Sequence, residues 1–346
     1  NYDSLALNVA KAYGVSAYIF ENHMVRRKDD SILAIRSVLD YNENKRISLN
    51  HNQLNIKQIN IEDYLFYPDK IQSVLKKKQK NIKEILKSLL PSYASAISHM
   101  FGYIIRNKSI QHHGLKSPPS KVLKNIIYAK NTLKYYNSNS VDLDKTKKYI
   151  FYALHFEPEA SIMARARFSN QISIIKQLSQ SLPKNWTLYI KEHPDQFKLY
   201  GDGWWYYLIS IHKFRTKDFY KEILKFSNVR FLKNNVKSQD IINSAEAVST
   251  INGSIASEAI MSKKPLILFG HQSTPFGMCK NVFKFTTTKE FKKIIDIIEE
   301  GYVPDYSDLY SIVNNYLFEL SNTSPNDVQL LIDYLIFDYH SDKVDN

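Results

Sequence analysis

From Tyr149 to Glu300 short apolar runs alternate with helix-patterned segments, and no other feature constrains the chain as much. The runs YIFYAL (149–154), WTLYIK (186–191), Val229–Leu232, Ala247–Thr250 and Pro265–Phe269 are rich in β-branched and aromatic residues, as strands are. The segments between and after them, 168–181, 216–226, 238–244, 255–262 and 289–300, read as helices. Strands alternating with helices build a parallel sheet covered on both faces and wound in Rossmann fashion. Ligands of such sheets sit beyond the carboxyl ends of the strands, so polar residues there are the first candidates for chemistry.

The first half is less regular. Leu5–Gly14 reads as a helix, Val15–Phe20 as a strand, and Glu21-Asn22-His23 as the loop at its end. Residues 31–40 read as weakly helical. Residues 61–134 are helical in pattern: Ile71, Val74, Leu75, Ile82, Ile85, Leu86 and Leu89 form an apolar stripe, opposite a face carrying Lys76, Lys77, Lys78 and Lys80. Pro91 closes that helix, Pro118-Pro119 marks a break, and another helix is expected over 121–136. The polar, aperiodic stretch 137–148 reads as a linker. A length of 346 residues suits two domains. The expected division is 1–145, with a helical insertion at about 61–136, then 146–305, then helices over 306–346.

Charge and composition narrow the function. The formal net charge of +13 points to a negatively charged partner. No nucleic-acid-binding module is visible, so nucleic acid is not expected. A single cysteine, Cys279, excludes an internal disulfide and a cysteine-based zinc site. No apolar run approaches the ~20 residues of a membrane helix. Asp142-Leu143-Asp144 matches a metal-binding triplet of sugar transferases, but it follows no hydrophobic strand and reads as chance. The histidines lack metal-site spacing, and no metal is expected. The aromatic block Trp204-Trp205-Tyr206-Tyr207 reads as packing.

Three polar clusters follow strands. After YIFYAL come His155, Glu157 and Glu159. A carboxylate there can act as nucleophile or general base toward a sugar, or simply suit a helix N-terminus. After WTLYIK come Glu192, His193, Pro194 and Asp195. Proline fixes the backbone beside a histidine able to bond a phosphate, or the histidine merely fills a turn. Ser249, Thr250, Asn252, Gly253 and Ser254 join a strand to a helix that carries Glu258. Small hydroxyl residues and a glycine there suit an anion, or cap the helix.

Taken in order, FEPEASI, IKEHPD and STINGSIASEAI followed by KKPLILFG resemble the capsule polysaccharide synthesis family, which includes retaining β-Kdo transferases. The matching positions are Glu157, Glu159-Ala160-Ser161-Ile162, His193-Pro194-Asp195, Ser249-Thr250, Glu258-Ala259 and Lys264-Pro265. More weakly, Glu21 and Arg26 or Arg27 match an early acidic and basic pair. The resemblance implies a GT-B fold, with two Rossmann-like domains facing a cleft. It implies a glycosyltransferase that moves Kdo or a related ulosonic acid from a CMP-activated donor, without a further cofactor, to a glycan or glycolipid acceptor. Glu159 would be nucleophile or base, and Glu157 and Glu21 would position or protonate groups. His193, Pro194 and the residues 249–254 would hold the nucleotide, and Glu258 its ribose. The implied location is the cytoplasm; the lysine-rich stretch 70–90 either meets an anionic membrane surface or packs its apolar stripe into the N-terminal domain with its lysines in water. A CDP-alcohol phosphotransferase of teichoic-acid type and a non-catalytic polysaccharide binding or export module are the alternatives.

Overall fold

The structure, a computed structural model, describes residues 2–26, 32–43, 45–48, 57–58, 110–112, 115–117, 119–157, 170–193, 196–197, 213–270, 275–285, 287–319 and 335. The lysine-rich stretch 70–90 and the block 204–207 lie outside them. Two compact units divide the chain. One gathers residues 1–67, 271–282 and 304–346, and the other residues 68–270 and 283–303.

The second unit is built on a seven-stranded sheet. Its elements in chain order are α1 (Pro119–Ser138), β1 (Ser140–Val141), β2 (Tyr149–Ala153), α2 (Gln171–Ser181), β3 (Thr187–Lys191), α3 (Lys217–Leu224), β4 (Val229–Leu232), α4 (Ser238–Ser244), β5 (Ala247–Thr250), α5 (Ile255–Met261), β6 (Leu266–Leu268), β7 (Phe283–Lys284) and α6 (Thr288–Glu299). The spatial order is β7-β6-β5-β2-β3-β4-β1, and every pairing is parallel. From β4 to β7 this is the Rossmann order, two successive strands to one side of β2 and three to the other.

Local chemistry explains the elements. Strands β2, β3 and β5 are almost wholly buried, as the central strands of a doubly covered parallel sheet must be. Helices α2, α3 and α6 each begin at a residue whose side chain accepts a bond from a backbone N–H in the first turn: Asn170, Thr216 and Thr287. Helix α2 turns Ile174, Ile175 and Leu178 onto a core that includes Ile150, Tyr152, Leu188, Ile190, Tyr220 and Phe231.

The stretch expected as a linker is part of this sheet. Ser140 and Val141 pair with Phe231 and Leu232 as its edge strand. Tyr136, fully buried at the end of α1, donates its hydroxyl to the Leu232 carbonyl at 2.6 Å. An edge strand leaves its outer side to water, and its polar composition therefore resembles that of a connector.

In the first unit the described strands pair antiparallel. Tyr18–Arg26 pairs with Ile32–Asp40 along its whole length. Two residues, Phe318–Glu319, then join the second of these strands to Lys57–Gln58. Two local expectations change. Glu21, Asn22 and His23 lie inside the first strand, with Glu21 opposite Ser37, and not in a loop beyond it. Residues 32–40 are a strand, not a helix, because cross-strand pairing overrides a spacing of Ile32, Ile35 and Leu39 that imitates a helical stripe. Of the expected C-terminal helices, Leu309–Tyr316 is one, and it leads into the strand at 318–319.

Buried phenols set the alkaline limit of this fold. Burial raises the pKa of Tyr136, Tyr149, Tyr152 and Tyr220. The folded protein keeps these protons where the unfolded chain releases them. Their contribution is complete below pH ~10 and is lost above it, by about 1.4 kcal/mol per pH unit for each phenol. Urea unfolding should show stability falling steeply between about pH 10 and 11. A flat profile there would contradict the burial of these four rings.

Candidate active site at the carboxyl edge of the parallel sheet

Strands β5, β2 and β3 are neighbours, so the segments that follow Thr250, Ala153 and Lys191 emerge side by side at one edge. The order of strands reverses between β2 and β5, and a crevice opens where successive connections diverge. The segments after these two strands approach closely at that point. A Cβ placed on Gly253 would lie 3.2 Å from Thr250 Oγ1 and 4.0 Å from His155 Cδ2. A side chain at Gly253 would therefore crowd this edge.

Arg215 organises the other side of the site. Its side chain is fully buried, and its Nε donates to Glu192 Oε2 at 2.9 Å. Nη1 donates to Glu157 Oε2, and Nη2 to the His155 carbonyl at 2.6 Å. One guanidinium thus ties the end of β2 to the end of β3. Burial works against its charge, but Glu192 and Glu157 outweigh burial and raise its pKa. The Phe219 ring lies beneath the guanidinium, 4.7 Å from its centre.

The two carboxylates differ. Glu192 is fully buried and also accepts from the Tyr220 hydroxyl and from the His193 N–H at 2.8 Å. It anchors the start of the His193 turn, which the Gln196 N–H closes on the His193 carbonyl at 3.0 Å. Glu157 keeps 16% of its side chain exposed. Its Oε2 accepts from Arg215 and from Gln171 Nε2 at 2.6 Å, while Oε1 has no hydrogen bond among the described residues. Gln196 holds the Glu157 backbone at both ends, accepting from its N–H at 2.9 Å and donating to its carbonyl at 2.7 Å. Gln171 does the same for His155, at 2.8 and 3.2 Å. The His193 ring is half-buried, 5.5 Å from the Phe156 ring.

The third cluster is more modest than expected. Ser249 and Thr250 are buried within β5, and the Ser249 hydroxyl has no partner among the described residues. Asn252 and Gly253 are half-buried and Ser254 is exposed. Helix α5 is only seven residues long, and Ser254 makes no capping bond to it. Any anion here would be held by the loop and its hydroxyls. Glu258, in the first turn, faces another buried charge. Burial lowers the pKa of Lys191 and Glu258 opposes that shift. Lys191 donates to the Val236 carbonyl at 2.6 Å.

The structure thus brings Glu157 and His193 into one network and sets Thr250 and Gly253 beside it. Glu159, Pro194 and Asp195 lie outside the described residues. Glu21 belongs to the other unit, and nothing of its side chain is described. Arg215, Gln171 and Gln196 are the contributors that sequence reading passed over. The Asp142–Asp144 triplet stays apart from this chemistry: Asp142 pairs with Lys233 at 2.6 Å, and Asp144 caps Thr146. Among the described residues no group of histidine, cysteine and carboxylate side chains is placed to hold a metal. None of the described helices is long and apolar enough to cross a membrane.

Strand order and polar edge together define a class, a Rossmann-ordered α/β domain with polar residues gathered at its switch point. The chain belongs to the capsule polysaccharide biosynthesis protein family, whose model matches residues 2–276. No protein of curated function matches it in sequence. Similar solved structures include the Thermosulfurimonas dismutans KpsC β-Kdo 2,7-transferase, at 17% identity and TM-score 0.30 over 53% of this chain and 56% of that one. Another is the Methanocaldococcus jannaschii UDP-GlcNAc 2-epimerase with UDP-GlcNAc and UDP, at 14% identity and TM-score 0.33 over 61% and 51%. The T. dismutans KpsC β-Kdo 2,4-transferase matches at 10% identity and TM-score 0.34 over 90% and 80%. The chain spans about half the length of the first two. The family assignment rests on the sequence match.

Proposed function

We propose that this chain is a glycosyltransferase of bacterial surface-polysaccharide assembly. In this reading it has the two-domain GT-B arrangement and moves an ulosonic acid such as Kdo from a CMP-activated donor, with retention, to a glycan or glycolipid. Membership of the family and the chemistry of the sheet edge support it. A CMP-ulosonic acid carries a phosphate and a carboxylate, which suits a chain of net charge +13. CMP leaves as a monophosphate, so one histidine and a hydroxyl-lined loop can meet its developing charge. The assigned groups are His193 beside Pro194, and Ser249, Thr250, Asn252, Gly253 and Ser254, with Glu258 toward the ribose. Glu159 is assigned the nucleophile, and Glu157 and Glu21 act on the bound sugars. Neither a metal nor a separate cofactor has a role. The lysine-rich stretch 70–90 is the contact with an anionic membrane surface on the cytoplasmic side.

The observation that carries the reading is the approach of the Gly253 loop to His155 at the switch point, where this strand order places ligands. A thermal-shift comparison of CMP with CDP, UDP, GDP and ADP tests it. CMP at one hundred times its Kd should stabilise the protein by about 2.7 kcal/mol, and more than the diphosphates do. A clear preference for a nucleoside diphosphate would overturn the CMP assignment.

A further inference from the structure

We infer that Arg215 and Gln171 form a clamp that positions Glu157, so that its Oε1 accepts a hydrogen bond from a hydroxyl of the bound sugar. The inference rests on the donor reading above. It adds two residues from outside the three strand-end clusters and one definite role for Glu157.

The geometry points one way. Both donors converge on the same oxygen, Oε2. Both also bond the His155 carbonyl, so side chain and backbone at the end of β2 are gripped together. Among the described residues Oε1 has no partner, on a side chain that remains partly exposed. A carboxylate held by one oxygen has lost the freedom to rotate, and its second oxygen is presented in a fixed direction. Such pre-ordering is what an acceptor needs at a reacting centre. Purely structural pairs look different, as Glu192 shows. It is fully buried, and both of its oxygens are used by Arg215, Tyr220 and the His193 N–H. The one guanidinium therefore serves two carboxylates of unlike character, and of the two it is Glu157 that has an oxygen without a partner among the described residues. Arg215 and Gln171 touch no sugar in this scheme and are positioning residues.

The test uses the whole protein with CMP-Kdo and an acceptor glycan, reading CMP release. In Glu157→Gln the amide oxygen stays with the clamp and an NH2 group replaces the free acceptor. The kcat should fall about 10²-fold, with the KM for CMP-Kdo held within about twofold. Arg215→Lys keeps a charge but cannot span Glu157, Glu192 and the His155 carbonyl, and should lose kcat by a similar factor. The double variant should be no slower than the slower single, because both act through one carboxylate. Should Arg215→Lys fail to fold, Gln171→Leu decides: it takes away one of the two donors to Oε2 and loosens the clamp with the ion pairs intact, and kcat should again fall with KM unchanged. Losses that multiply in the double variant would overturn the inference. So would a folded clamp variant with wild-type kcat, or one altered in KM alone. Wild-type protein that releases no CMP overturns the donor reading, and this inference with it. Wild-type turnover with unaffected variants overturns the inference alone.

Discussion

Arg215→Met should destabilise the parallel-sheet unit by about 3–5 kcal/mol, the cost of stranding buried charge. Arg215 and Glu192 are both fully buried, and Glu157 is partly buried, with 16% of its side chain exposed. Methionine fills much of the same volume but leaves two carboxylates without their cation and the His155 carbonyl without one of its two side-chain donors. Neutralising the partners should recover most of the loss: Arg215→Met with Glu157→Gln and Glu192→Gln removes the charges together. Urea unfolding of the three proteins, followed by far-UV circular dichroism, checks this. A loss below about 1 kcal/mol in the single variant, the range of exposed pairs, would mean that the ion network is open to water.

The second large effect concerns Glu159. Glu157 is engaged by Arg215 and Gln171, so Glu159 is the carboxylate of the FEPEASI segment left for covalent chemistry under the proposed function. Its oxygen would bond the anomeric carbon as the bond from that carbon to the CMP phosphate breaks, the electron pair leaving with CMP. Glu159→Ala and Glu159→Gln should both lose transfer by on the order of 10⁴-fold or more, since an amide of the same shape lacks the charge. Intact-mass analysis of wild-type protein with CMP-Kdo alone should show a Kdo adduct that Glu159→Gln lacks. A product of inverted anomeric configuration would instead make this residue a general base.

Much of the second half is legible from local pattern. A buried parallel strand needs apolar residues on both faces, and YIFYAL and WTLYIK supply them. A helix start needs a side-chain acceptor, and Asn170, Thr216 and Thr287 supply it. Strand ends follow from these boundaries, which is why Glu157 and His193 stand out as candidates before any coordinates. Legibility fails where the deciding partner is distant or the local signal is ambiguous. Residues 32–40 have a spacing that suits either element, and pairing with the strand at 18–26 along its whole length settles it. The edge strand Ser140–Val141 is too short and polar to announce itself, and Phe231 and Leu232 define it.

The sequence by itself determined the winding of the sheet, because alternation of strand and helix leaves a parallel order as the way to bury both faces of every strand. It determined which residue types stand at the carboxyl edge. The tertiary structure alone decided which of them act together. Arg215 lies 58 residues from Glu157 and 23 from Glu192, in a segment whose local pattern marks only the start of α3. Its place follows from electrostatics in the folded state: two carboxylates carried in on adjacent strands need a buried cation between them, and that need does not exist until β2 and β3 are paired.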